Sequence, residues 1–263
     1  MSANAVAAPL RRSPSLLNRA ATMAGRNLRL SRRNVEALTT SLMLPVMLML
    51  MFVYLFGGAI DTGTKYVTYV VPGVLLLCAG FGASLTAVSV SHDMAGGIID
   101  RFRSLDVGGP ELLSGHVVAS VVRNAISTAL VFGVAFAIGF RPDASTLDWL
   151  AVALLMVLYI TAMSWFAAAI GLFAKSPEAA SGFTFLVMFL PYASSAFVPI
   201  DSMPSWIQHF ARHQPVTPIT ETLRALLLNG DAGAHAVAAL LWCCGLLAAS
   251  IFASVLLFRR RTA

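Results

Sequence analysis

Charge is scarce in this chain. Only 11% of its 263 residues are Asp, Glu, Lys or Arg, against about 25% in a soluble globular domain, so water is not the main solvent of the fold. Lysine is nearly missing: Lys65 and Lys175 stand alone among arginines, a usage that points to a GC-rich bacterial coding sequence. Lys65 follows Thr64 and Lys175 follows Ala174, so no Gly-Lys-Ser or Gly-Lys-Thr exists and a phosphate-cradling P-loop is excluded. Cysteine is limited to Cys78, Cys243 and Cys244, all within apolar runs, where they act as small hydrophobes and form no disulfide or metal framework. The histidines, His92, His116, His209, His213 and His235, show no HExxH pattern, and His209 with His213 lacks a third ligand. Serines within the helical runs have no paired histidine and acid, which leaves nucleophilic catalysis without a basis. No acid lies inside any long apolar run, so the mid-membrane carboxylates on which ion-coupled carriers depend are missing too.

What the chain has is hydrocarbon: 58% hydrophobic residues and a mean hydropathy of +0.79. A helix rising about 1.5 Å per residue needs roughly 20 apolar residues to cross a hydrocarbon core of about 30 Å. Six runs meet or approach that length, over 39–59, 69–91, 117–140, 149–174, 182–199 and 235–258, the fifth being the shortest. The expectation is an all-α membrane protein of six transmembrane helices, a single domain over 1–263 with no room for a second, soluble one. The net charge of +6 and pI near 9.7 do not signal nucleic acid, because the basic residues flank apolar runs instead of forming one basic domain.

Those flanks set orientation, since cytoplasmic loops keep the arginines that short translocated loops lose. Arg11, Arg12, Arg19, Arg26, Arg29, Arg32, Arg33, Arg101, Arg103, Lys175 and Arg259 to Arg261 fall on one side, thirteen in all, or fourteen with Arg123; Lys65, Arg141, Arg212 and Arg224 fall on the other. Both termini are therefore predicted to be cytoplasmic, in agreement with an even number of spans. The stretch 14–35 repeats Arg19, Arg26, Arg29 and Arg33 at helical spacing, with Leu17, Ala20, Ala24 and Leu28 marking another face and Ser13-Pro14 as its start. It reads as an amphipathic helix on the inner leaflet. Its Ser and Arg content, with no acid before Glu36, is shared with organellar transit peptides, the lesser reading. A secretory signal does not fit, because the first apolar run is full-span length and reads as a retained helix.

Two polar segments stand out. The loop over 93–113 mixes both charge signs with Ile98, Ile99, Phe102 and Leu105 at helical spacing, before Gly108-Gly109-Pro110 ends it. A short amphipathic helix there is a docking element for a soluble partner. The external stretch 200–231 carries Trp206, Ile207, Phe210, Ile219, Leu223 and Leu226, too apolar for open water, and Pro199, Pro204, Pro215 and Pro218 divide it into two short helices. These are predicted to form a re-entrant or interfacial hairpin packed on protein. Arg123 is the one cation inside a span, either snorkelling to the cytoplasmic interface or facing a substrate path.

Taken in order, these features resemble the membrane subunit of an ABC-2 type transporter, in particular the drug-resistance permeases of actinobacteria that include the daunorubicin exporter. The run Gly97-Ile98-Ile99-Asp100-Arg101-Phe102-Arg103-Ser104 is similar to the family's cytoplasmic loop, and Met203-Pro204-Ser205-Trp206, Gln214-Pro215, Glu221, Arg224, Leu227 and Gly230 to its external hairpin. A departure falls at Asp93-Met94-Ala95-Gly96, where relatives often carry a further acid. The resemblance implies a half-transporter in a bacterial plasma membrane, paired with a second permease copy, here a homodimer, and with two copies of a separate ABC ATPase. This chain would bind no cofactor, with ATP and Mg held by the partner ATPase. Asp93, Gly97, Ile98, Asp100, Arg101, Phe102 and Arg103 would couple to that ATPase, and Trp206, Pro215, Glu221 and Arg224 would belong to the external hairpin. Substrate would pass between protomers along spans one, two and five, lined by Phe52, Phe56, Phe81, Arg123 and Phe189, with Pro45, Pro72, Gly80, Gly82 and Pro191 giving kinks and close packing. The expected activity is ATP-driven export of a hydrophobic small molecule such as a drug, antibiotic or lipid-like metabolite. Export of a glycan or lipid-linked polysaccharide and an ion-coupled secondary transporter are the alternatives.

Overall fold

A computed structural model gives the fold and describes residues 16–33, 35–60, 62–96 and 109–262. Helix α1 spans Leu16–Arg33 and α2 Val35–Met51, the latter continuing as a π-turn over Phe52–Phe56. Then come α3 (Tyr66–Ala95), α4 (Gly109–Ala137), α5 (Thr146–Phe173) and α6 (Pro177–Val187). Two 3-10 turns, Leu190–Ala193 and Ile200–Ser202, lead to α7 (Ser205–His213), α8 (Val216–Leu227) and α9 (Gly233–Thr262). Among the described residues there is no strand.

Four helices are long and apolar enough to cross a bilayer: Tyr66–Ala95, Leu112–Ala137, Thr146–Phe173 and Gly233–Arg261. A shorter apolar helix covers Met43–Phe56. The fifth apolar stretch, 182–199, is not one helix. It is helical to Val187 and then breaks, because Pro191 has no N–H to give and disfavours helical backbone at the residue before it.

Helix α3 forms the centre. It is apolar on every side, so no face seeks water, and from Tyr66 to Ala79 nearly every side chain is buried. Helices α4, α5 and α6 pack around it, with α2 and α8 completing the enclosure, while α9 lies on α5. The approach of α3 to α4 depends on Gly82, where a Cβ would fall 2.0 Å from Asn124 Oδ1. The outer faces stay apolar, with Met47 on α2, Leu154 on α5 and Phe252 on α9 all more than half exposed, as hydrocarbon solvent allows.

Local chemistry fixes the ends. Ser145 accepts from Asp148 N–H while the Asp148 carboxylate accepts from the Ser145 N–H at 2.9 Å, a capping box that starts α5. At its other end, Arg261 of α9 donates to the carbonyl of Ala174 at 2.6 Å, satisfying an acceptor that the helix leaves open. That contact places the C-terminal arginines beside the end of α5, and Met23, Met94, Leu112 and Phe258 cluster nearby at the same end of the bundle. The opposite end gathers the 57–65 and 138–145 connections and the segment 194–232, where Asp143 N–H donates to the Leu227 carbonyl at 3.0 Å.

Candidate functional site

Asp93 lies on the last turn of α3, where Gly96 N–H closes back onto the His92 carbonyl at 2.9 Å. Sequence reading puts it at the start of the cytoplasmic coupling loop, yet it is only 6% exposed and faces inward. Arg26 of α1 grips it with both terminal nitrogens, Nη1 donating to Oδ2 at 2.9 Å and Nη2 to Oδ1 at 3.4 Å. His116 of α4 comes from the other side, its Nε2 3.1 Å from Oδ2. A carboxylate can only accept, so Nε2 is a donor in this contact, while Nδ1 lies 3.5 Å from Ser89 Oγ. A buried carboxylate requires such partners, because an unpaired charge there is costly. The latch ties the amphipathic helix, the end of the central helix and the start of α4 into one unit.

Close packing holds α1 in place for this latch. Gly115 on α4 faces Met23, and a Cβ at that position would come within 2.5 Å of the Met23 Cβ. The arginine spacing that predicts a lipid-facing helix thus serves a second purpose: Met23, Ala24 and Asn27 are buried, and Arg26 turns toward protein. His116 and Arg26 were not legible as site residues, since only the fold brings positions 26, 93 and 116 together. The predicted coupling residues Gly97, Ile98, Asp100, Arg101, Phe102 and Arg103 lie outside the described residues.

A second constellation is aromatic. Phe185 meets Phe189 at 5.1 Å between ring centroids, Phe189 meets Tyr192 at 6.2 Å and Tyr192 stacks on Phe197 at 5.1 Å. Phe197 stacks on Phe52 at 4.5 Å, and Phe52 meets Phe56 at 5.5 Å. This ribbon runs from α6 through the helix break to the π-turn after α2, and it joins three predicted path residues, Phe52, Phe56 and Phe189, to three that sequence reading missed. Phe56, Phe185 and Phe189 are exposed while Phe197 is buried, so the ribbon has a rooted side and an open one. Phe81 and Arg123 are not part of it. Phe81 packs on the core, and Arg123 Nη2 donates to Thr86 Oγ1 of α3 at 3.1 Å.

At the opposite end, Arg224 of α8 is the organising group. It donates to Glu221 Oε1 at 2.6 Å and to the carbonyls of Tyr69 and Ser195 at 3.1 and 2.9 Å, and its guanidinium lies 3.8 Å over the Tyr69 ring. Helix α8 is buried along Val216 to Thr220 and at Leu223 and Leu227, so the stretch 205–227 forms two short helices with α8 against the core. Pro215 marks its start, and Trp206 on α7 is 77% exposed. His213 Nδ1 bonds the His209 carbonyl at 2.8 Å, and among the described residues no group of three metal-ligating side chains exists.

Long apolar helices around a buried central helix, an amphipathic helix latched to one end and two short helices at the other are the build of an all-helical integral membrane protein. The sequence profile of the ABC-2 type transporter family matches residues 19–228, and the chain belongs to that family. It is 32% identical over 193 residues to the daunorubicin resistance ABC transporter permease protein DrrB1 of Streptomyces coeruleorubidus, covering 73% of this chain and 68% of that one. It is 23% identical over 211 residues to the probable doxorubicin resistance ABC transporter permease protein DrrC of Mycobacterium tuberculosis, covering 78% and 75%. The chain is thus similar to membrane subunits of drug-resistance ABC transporters.

Proposed function

We propose that this chain is the permease half of an ABC exporter that moves a hydrophobic, partly aromatic small molecule out of the cell with ATP hydrolysed by a separate subunit. The observation that carries the reading is the Arg26–Asp93–His116 latch. A chain with neither a P-loop nor mid-membrane acids needs an outside energy source. The 97–108 loop between α3 and α4 is where a soluble motor would press, and the latch makes that push act on α1, α3 and α4 together.

In this reading the latch end is cytoplasmic, the termini lie there, and α2 and the broken α6 complete a count of six crossings. The hairpin α7–α8 dips back from the outside, held by Arg224. Two copies pair along the apolar face of α2 and its π-turn, where Met43, Met47, Tyr54 and Leu55 are open, and the exposed side of the aromatic ribbon lines the passage between them. Rings stacked edge and face suit flat aromatic cargo. Daunorubicin, the compound in a relative's name, is the first to try.

The test is reconstitution with ABC ATPase subunits taken from the same genome. Co-purification of such a subunit, and ATP-dependent accumulation of daunorubicin in inside-out vesicles, are expected. Failure to retain any ATPase, with transport unchanged by Asp100→Ala and Arg101→Ala, overturns the coupling scheme.

A further inference from the structure

Among the described residues, a cavity of about 120 Å³ lies inside a single subunit, apart from the latch, the aromatic ribbon and the Arg224 end. Its floor is α3, through Leu76, Leu77 and Gly80, and its wall is Tyr159 and Met163 of α5. The helix break at Leu190-Pro191 and the start of α8 at Pro215-Val216 roof it, and Trp242, Cys243 and Leu246 of α9 close the side. Leu76, Leu77, Val216, Ile219 and Cys243 are at most 3% exposed, so the interior belongs to the core. Trp242 at the rim is 45% exposed and Val187 is half-buried, so the mouth opens sideways between α6 and α9 onto the membrane-facing surface.

Three physical facts select an occupant. The lining is almost wholly hydrocarbon and aromatic ring, with the Tyr159 hydroxyl, the Trp242 N–H and the Cys243 thiol its few polar groups, so it offers water too few partners, and apolar cavities of this kind stay dry. A cavity of about 150 Å³ holds one benzene, so this one takes roughly five carbons. The medium at its mouth is the bilayer, whose acyl chains are at effectively unlimited concentration beside it. We infer that this cavity is a binding site for the methyl end of a single lipid acyl chain, entering between α6 and α9. The chain end acts as a removable wedge under the α8 hairpin and the helix break, filling space that the discontinuous backbone leaves open. The site goes beyond the transport reading, since it lies within one subunit and requires neither ATP nor a second copy.

Gly80 supplies the test. A Cβ there meets only Met188 Cγ, at 4.0 Å, so a larger side chain enters the cavity without moving backbone. The purified chain is reconstituted in vesicles of phosphatidylethanolamine and phosphatidylglycerol containing a phosphatidylglycerol with a diazirine at the methyl end of one chain, then irradiated and mapped by mass spectrometry. Adducts on Met163, Val216 and Cys243 are expected, and a lipid with the diazirine beside the headgroup should give none there. Gly80→Leu should reduce these adducts about tenfold by occupying the space, with the melting temperature unchanged or raised. Met163→Ala, which enlarges the cavity, should increase the adducts on Val216 and Cys243 and covers the case in which the leucine variant fails to fold. Absence of adducts in the unaltered chain, or adducts indifferent to both substitutions, overturns the site. Saturable displacement of the lipid adducts by daunorubicin assigns the cavity to cargo and overturns the lipid assignment.

Discussion

Asp93→Asn keeps the shape of the latch and one acceptor for His116 while removing the charge that Arg26 grips. The Arg26 side chain is 27% exposed and Asp93 8%, so after substitution the guanidinium turns partly to water while the site loses two charge-assisted bonds. Bonds of that class contribute about 1.5–3 kcal/mol each, and the retained His116 contact and rehydrated Arg26 reduce the loss to about 2 kcal/mol. Arg26→Ala is worse, about 3 kcal/mol, because it leaves a buried carboxylate with His116 as its remaining partner. If the latch must be closed for the motor's push to reach α1 and α4, about 2 kcal/mol corresponds to roughly thirtyfold lower coupled transport. The assay combines two readings on the reconstituted complex: melting temperature by tryptophan fluorescence, and ATP-driven cargo uptake alongside ATPase rate. Asp93→Asn should lower uptake far more than ATP hydrolysis, and the Arg26→Ala, Asp93→Asn double variant should be no worse than Arg26→Ala alone. Stability losses that add within about 0.5 kcal/mol, the behaviour of independent sites, would refute the latch.

Other substitutions probe the remaining groups. Gly115→Val forces a side chain into Met23 and should detach α1 at a cost of about 1–3 kcal/mol, seen as new tryptic cleavage after Arg29 in the folded protein. Arg224→Lys keeps the charge but loses the fork that reaches two carbonyls and the plate that covers Tyr69. A melting temperature lower by the equivalent of about 2 kcal/mol is expected, where an unchanged one would show the clamp to be decorative. Phe189→Ala removes an exposed ring of the ribbon and should reduce transport of aromatic cargo about tenfold by deleting stacking worth ~1 kcal/mol and its buried area, with ATPase binding intact. Equal effects on an aliphatic cargo would argue against ring recognition.

The long helices were legible because hydrocarbon leaves the backbone few choices: runs at 69–91, 117–140, 149–174 and 235–258 each fall inside an observed helix or within three residues of its end. The two short helices after Pro199 were legible from the prolines that divide them, and α1 from its arginine spacing. The fifth stretch misled by composition, since Phe, Leu and Met continue past Val187 while Pro191 stops the helix, and hydropathy averages over that single residue. Asp93 was legible as polar but not as buried, because a carboxylate at a helix end looks the same on paper whether it meets water or an arginine from 67 positions away.

By itself, then, the sequence determined the solvent, the long helices and that these 263 residues hold no P-loop, all of which follow from local composition and spacing. The tertiary structure alone decided which charges are paired, which rings touch and where space is left over. Arg26, Asp93 and His116 converge from three helices, the aromatic ribbon joins residues 52 and 197, and the cavity over Gly80 exists only because a broken helix and a hairpin meet α3 there. Such relations depend on how helices cross, and no window along the chain contains that information.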